Sequence, residues 1–571
     1  MASAEVAVKR DTEADSCPIR ATHEVTNQPS ELADYDLFET DLALAAAARS
    51  QSDERAVERL SALGSLLGSQ ETIRLGFEAN QFSPELAAFD RFGNRIDEVR
   101  YHPAWHALMA IAVENGIHND PWQEEREDGD TGRVPHVARS AKHYMLSQIE
   151  AGVCCPITMT FACVPALRNQ PEIWADWKPH LLDNRYDPAL APLAEKKGVL
   201  VGMAMTEKQG GSDVRSNTTS AAPQETSGPG KAYTLIGHKW FCSAPMSDAF
   251  LTLAQTGRGL SCFLVPRVLP DGTRNPLRIQ RLKNKLGNRS NASSEIEYPG
   301  TTGWMLGEDG QGIRTIIEMV HHTRLDCISG SAGLMRAALA QALHHARHRK
   351  AFGRFLIEQP LMTNVLADLA IEVEGAVALM TRVAAAYDGS GDEQERAFAR
   401  IATAIGKYWV CKRAPAMIYE AMECLGGNGY VEEAVLARLY REAPVNSIWE
   451  GSGNVMCLDV LRALGREPGA LTALLAEVDA ARGADTRLDR AAATLREELS
   501  APAELEFAAR RIVELMATCL QASLLIRTAP AAVSDAFCAS RLAGTDNRLV
   551  FGGLPAGADC DRIIERAGPW L

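Results

Sequence analysis

Met203-Ala-Met-Thr-Glu-Lys-Gln-Gly-Gly-Ser-Asp213 leaves a β-rich run and enters a loop with two adjacent glycines and two hydroxyls six residues apart, Thr206 and Ser212. Glycine tolerates close backbone approach, so such a loop can bring N–H and O–H donors against a flat heteroaromatic ring and a phosphate at once. A polar hairpin turn is the plainer alternative, but it needs nothing so elaborate. Around this stretch the texture is β: apolar runs at 199–205, 232–237, 250–255, 260–265 and 294–298 are separated by turn residues. Such closely spaced strands predict a small barrel or sandwich. Residues 222–231, rich in Gly, Pro, Ser and Thr, read as a hairpin loop.

On both sides the periodicity becomes helical. Residues 1–35 are polar and aperiodic, an arm or surface-hugging segment, and 35–188 carry Ala/Leu-rich helical stretches such as 41–49 and 54–67. Beyond Gly312, segments 313–348, 359–387 and 393–425 are long and amphipathic enough for antiparallel helices, and a fourth runs from 453 to 464. Gly465-Arg-Glu-Pro468 is a stop signal, followed by another helical region. The expected fold is therefore multidomain α+β. It has an N-terminal arm and α-helical domain (1–197), a central β-barrel (198–308), a C-terminal four-helix bundle (309–465) and a helical extension (466–571).

Hydrophobic residues make up 46% of the 571-residue chain and charged residues 23%, enough to bury several cores. The formal net charge of −14 argues against a generally basic, nucleic-acid-coating surface, though a local basic patch is compatible with it. No apolar run approaches the roughly 18 residues that would suggest a membrane span. Glu5, Asp11, Glu13 and Asp15 do not suit a signal or transit peptide. The thirteen cysteines show no C-x-x-C and no zinc-type spacing. A reducing cytoplasm, with most thiols in cores and no metal, is the expectation.

No Rossmann fingerprint or P-loop is present. Four further words accompany the first: Gly237-His-Lys-Trp-Phe-Cys-Ser243, Arg349-Lys-Ala-Phe-Gly353, Cys424-Leu-Gly-Gly-Asn-Gly-Tyr430 and Ile448-Trp-Glu-Gly-Ser-Gly-Asn454. The glycine cluster at 426–429, taken alone, reads equally well as a helix C-cap. In this order, the five words resemble the acyl-CoA dehydrogenase superfamily over about residues 40–465. Three words, Met-Thr-Glu-Lys-Gln-Gly-Gly-Ser-Asp (205–213), Leu-Gly-Asn-Arg-Ser-Asn-Ala-Ser (286–293) and Asn-Ser-Ile-Trp-Glu-Gly-Ser-Gly-Asn (446–454), look like its AidB branch, linked to the adaptive response to DNA alkylation.

The resemblance implies a helical domain, barrel and bundle assembled as a homotetramer, with FAD between barrel and bundle. Thr206 matches a residue that meets the flavin ring, and Ser212 one near the pyrophosphate and substrate. Phe241-Cys242-Ser243 aligns with the family's Trp-Ile-Thr beside the flavin. Arg349 and Phe352 match the pair that clamps the diphosphate and adenosine, and Leu425, Gly426 and Gly427 the segment along a neighbouring subunit's adenosine. The family's usual Gln there is Glu423 in this chain. Met205, Gly211, Ile448, Gly451 and Asn454 complete the expected FAD contacts, and Thr206, Ser212 and Ser243 the expected substrate contacts.

Glu450 matches the superfamily's catalytic base. Oxidising an acyl thioester at Cα–Cβ needs a carboxylate dry enough to take a weakly acidic α-proton, and an electrophile to take the β-hydride. A capping or helix-dipole role is the plain alternative for Glu450, and Glu207 reads as structural. Two functions stay open: an FAD-dependent acyl-CoA dehydrogenase with an acyl-CoA-like substrate, or a protein that protects double-stranded DNA through its C-terminal helices. Residues 471–571 hold eleven Arg, no Lys and fourteen Asp or Glu, a composition that fits a packed, solvated extension as well as a phosphate-binding one.

Overall fold

The computed structural model describes residues 22–123, 134–500, 505–542 and 550–570. The first part of the expected arm, 1–21, lies outside them. The N-terminal helices Leu42–Gln51, Glu54–Leu67 and Gln70–Gln81 each start at a side-chain cap. Asp41, Asp53 and Ser69 accept from the backbone N–H of Leu44, Ala56 and Thr72. This region is not wholly helical as expected: Glu85–Phe89 and Arg95–Arg100 form a hairpin. Its Ala, Glu, Asp and Arg content has little strand propensity. The barrel holds it instead, through Arg95 donating to the Ile279 carbonyl (2.6 Å) and Ile279 N–H donating to Asp97 (3.2 Å).

The helix Ala151–Arg168 corrects the expectation about apolar runs. Its 18 residues have a mean hydropathy of 1.4, long and apolar enough to cross a membrane, but 72% of it is buried inside the protein. It is an interior helix beside the barrel.

The barrel closes as a ring. Strand Ala249–Thr256 pairs with Gly259–Pro266, which pairs with Ser293–Leu306, then Ala232–Ser243, then Ser220–Pro223, which returns to Ala249–Thr256. Val201–Ala204 joins parallel to Ala249–Thr256, and Arg278–Leu282 joins antiparallel to Ser293–Leu306. Two of these strands, Ser220–Pro223 and Arg278–Leu282, lay outside the expected runs, and the first takes the start of the expected 222–231 loop.

The bundle helices are Gly312–His348, Pro360–Asp388, Glu393–Cys424 and Gly453–Arg466, close to the expected bounds. The extension folds as Pro468–Asp479, Thr486–Leu499, Leu505–Thr528, Ala531–Arg541 and Cys560–Ala567. Its apolar side chains, such as Leu520 and Phe537, join one continuous core with the bundle's Leu369 and Ile405 and the N-terminal Leu44 and Leu60. The barrel interior keeps its own core around Tyr233, Phe263 and Ile296. The twelve described cysteines are all free, and eleven are buried, as expected of core thiols.

Candidate active site at Glu450

Glu450 sits in a tight turn between the short helix Ala443–Ser447 and the helix Gly453–Arg466. Its φ of +58° is in the left-handed region, which costs a non-glycine residue about 1 kcal/mol or more unless its surroundings hold it there. The surroundings do hold it. Arg324 Nε donates to the Glu450 carbonyl at 3.0 Å, and the buried Lys407 ammonium donates to the carbonyls on both sides, of Trp449 (2.8 Å) and Gly451. Trp449 Nε1 donates to Asn446 Oδ1 at 3.0 Å, locking the preceding residue. Gly451 has a φ of +103°, and a Cβ there would lie 2.5 Å from Met456 Cε.

The Glu450 carboxylate accepts from the hydroxyl of Thr323, on the helix Gly312–His348, at 2.6 Å. Burial pushes its pKa above the ordinary glutamate range, against the opposing Thr323 hydrogen bond and the charges of Arg324 and Lys407. A carboxylate held in place by Thr323, with raised basicity, is what proton abstraction from carbon requires. Thr323, Arg324 and Lys407 were not singled out from sequence. They lie in long amphipathic helices where nothing local separates them from other helix polar residues.

Glu207, by contrast, is structural. It is fully buried and accepts from Lys239 Nζ (2.9 Å), Thr218 N (2.7 Å) and Thr219 N (3.1 Å). Burial raises its pKa, but the bonds from Thr219, Thr218 and Lys239 outweigh that and hold it well below the usual range.

The barrel residues form a donor-lined ledge. Trp240 N–H donates to the Thr206 carbonyl at 2.7 Å, joining the Met205–Thr206 segment to the strand that carries Phe241 and Ser243. A Cβ on Gly211 would lie 2.4 Å from Thr206 Oγ1, so the glycine lets the loop fold against that hydroxyl. Phe241 is half exposed, Ser212 is exposed, and Cys242 points into the barrel core, leaving only its backbone available. The Lys283 ammonium lies 3.2 Å from the Trp240 ring centroid and 4.7 Å from that of Phe241.

Arg349, Phe352 and Leu425–Gly427 form a second group. Asn27 and Gln28 bridge it: Arg349 donates to the Asn27 carbonyl at 2.5 Å, and Asn428 to Gln28 Oε1 at 3.1 Å. Phe352 is 99% exposed, and a Cβ on Gly426 or Gly427 would meet nothing within 4 Å, so this surface is open to a ligand. Ile448 is exposed beside Glu450's turn, and Asn454 is engaged by Arg510 of the extension at 2.8 Å. Hydroxyl and amide donors, an exposed aromatic ring and an arginine together suit a flavin nucleotide, so the donor set fits FAD.

Residues 27–188 match the AidB N-terminal domain of the adaptive response protein, 202–300 the acyl-CoA dehydrogenase middle domain, and 310–465 the acyl-CoA dehydrogenase C-terminal domain. The chain is 49% identical over 484 residues to the putative acyl-CoA dehydrogenase AidB of Escherichia coli K12, covering 85% of this chain and 88% of that protein. The chain belongs to the acyl-CoA dehydrogenase family. Acyl-CoA dehydrogenases are FAD-dependent oxidoreductases, and the match extends to the AidB branch. Among solved structures, Caenorhabditis elegans ACDH-11 in complex with C11-CoA superposes with a TM-score of 0.82 at 26% identity, covering 91% of this chain and 94% of that one. Bd2924 in its apo form gives a TM-score of 0.79 at 29% identity, covering 88% and 99%. Both matches extend past the bundle into the C-terminal extension.

Proposed function

We propose that this chain desaturates an acyl-CoA at Cα–Cβ, with Glu450 as the base, and that it serves the response to alkylation damage. The observation that carries the chemistry is the clamped Glu450 turn. Three contacts fix the backbone in a strained conformation while Thr323 aims a desolvated carboxylate. FAD supplies the hydride acceptor when bound. Thr206, Ser212 and Ser243 supply hydroxyl donors toward the cofactor and the thioester, and developing negative charge on a thioester carbonyl needs donors already in place. Phe241 offers a flat apolar face on the barrel ledge.

The relative solved with C11-CoA supports a CoA thioester as substrate. The match of 27–188 to the adaptive-response domain supports the alkylation role. Arg349 follows the C-terminal end of the helix that carries Thr323, 26 residues further on and about 39 Å along its axis at 1.5 Å per residue. One dinucleotide does not reach that far, which supports an assembly in which Arg349 and Phe352 serve a neighbouring subunit, as in a homotetramer.

The extension's charges support a small-molecule role over a DNA-binding one. Arg487, Arg496, Arg511, Arg527, Arg541 and Arg566 are each paired with carboxylates of this chain. Arginines already neutralised in this way have little to offer a phosphate backbone. The test is anaerobic titration of the FAD-loaded protein with straight and branched acyl-CoAs while the flavin absorbance is followed. Bleaching by at least one thioester is expected; a flavin inert to all of them contradicts the proposal.

A further inference from the structure

A half-buried cation, Lys285, lies beside the barrel ledge. Lys285 donates to the Asn291 carbonyl at 2.6 Å and to Ser293 Oγ at 2.9 Å. Ser293 Oγ is in turn 3.4 Å from Ser243 Oγ. Among the described residues no carboxylate lies within ion-pair distance of this ammonium. The buried Glu150 and Glu442 act on it only at longer range. Cys155, a buried thiol, lies beside Ser243 and Asn291 and feels the charges of both Lys285 and Glu450, so these groups share one pocket.

Direction follows from valence. An ammonium has three donors and no acceptor, so Ser293 Oγ must accept from Lys285. The Ser293 hydrogen is then free to turn toward Ser243 Oγ, 3.4 Å away, leaving the Ser243 hydrogen for the side of the pocket where Cys155 lies. The donors therefore run in one direction, from Lys285 through Ser293 to Ser243.

We infer that Lys285 is a positioning residue of the flavin pocket: through Ser293 it fixes Ser243 as a donor, and the aligned charge and dipoles favour the electron-rich, reduced cofactor. The inference rests on the FAD site proposed above. It assigns a task to a half-buried lysine whose two neutral acceptors leave its charge without an ion-pair partner among the described residues, and withdrawing an ammonium from water in that way is costly. Preorganised donors in a dry site act strongly on a charge that develops nearby.

The test is the midpoint potential of bound FAD in the purified holoprotein, with melting temperature recorded alongside. Lys285→Met is expected to weaken the preference for reduced over oxidised flavin about tenfold, a fall of about 30 mV for a two-electron couple. Ser293→Ala keeps the charge but breaks the relay, and should give a smaller fall in the same direction. Lys285→Arg should keep the wild-type value. If Lys285 only balances Glu150 and Glu442, the Met variant melts earlier while its potential stays at the wild-type value, and that result overturns the inference. Should the Met variant fail to fold, Ser293→Ala decides: an unshifted or raised potential overturns it equally. A wild-type protein that takes up no FAD overturns the proposed function as well, whereas unshifted potentials in yellow protein overturn this inference alone.

Discussion

The hydroxyl of Thr323 donates to Oε2 of Glu450 at 2.6 Å, across 127 residues of chain. It favours the ionised carboxylate, while burial favours the protonated acid, and burial wins. The acid limb of kcat/KM should therefore titrate above the ordinary glutamate pKa of about 4.3, with activity rising as pH rises through it. Thr323→Val removes the opposing hydrogen bond, worth about 1.5 kcal/mol to a charged acceptor, and should move that limb upward by about one pH unit. A pH–rate profile that keeps its midpoint while the protein melts earlier would reduce Thr323 to a packing residue.

Lys407 spans the same turn from the helix Glu393–Cys424, holding the carbonyls of Trp449 and Gly451. Lys407→Met would leave both partly buried carbonyls without this donor, at a cost of roughly 2–3 kcal/mol. Denaturant unfolding should register that loss. Steady-state kinetics should show kcat falling more than KM rises, because the base is displaced while the substrate site is untouched. A variant with wild-type kcat would show that the clamp is not needed for orientation.

Glu207, buried in the barrel, offers a contrast with Glu450. Its folded pKa is depressed, so its contribution to stability is complete above the unfolded value near 4.3 and is lost as pH falls below it. Glu207→Gln strands the fully buried Lys239 ammonium and should cost about 3 kcal/mol at neutral pH. Thermal melts from neutral to acid pH should converge for the two proteins. A constant gap across that range would place the effect elsewhere.

Much of this was legible in the chain. The bundle helices were legible because 313–348 and 393–425 are long and amphipathic, and 41–49 and 54–67 were legible as Ala/Leu-rich helical stretches. Glu450 was found through its word, but its strain was not, since nothing in Trp-Glu-Gly-Ser requires the glutamate itself, and not only the glycine, to take positive φ. The hairpin 85–100 was missed because tertiary contacts to Ile279, not propensity, make it β. Helix Ala151–Arg168 escaped notice because Pro156 and Pro165 interrupt its apolar pattern, although both are accommodated inside the helix. Thr323, Arg324 and Lys407 were invisible for a different reason: their role exists only where three segments meet.

For DNA, a gel shift titrated with salt is the discriminating experiment. With six of the extension's eleven arginines paired to carboxylates of this chain, no retarded duplex is expected near physiological ionic strength. A complex that persists there, with binding falling steeply as salt rises, would require a basic surface formed between subunits.

The most direct test of the central claim is anaerobic mixing of the FAD-loaded protein with a panel of straight and branched acyl-CoAs, wild type against Glu450→Gln. Both proteins should be yellow. The wild-type flavin should bleach, and the variant should bleach at least about 100-fold more slowly, in line with the loss of a positioned general base. Equal bleaching rates would show that Glu450 is not the base.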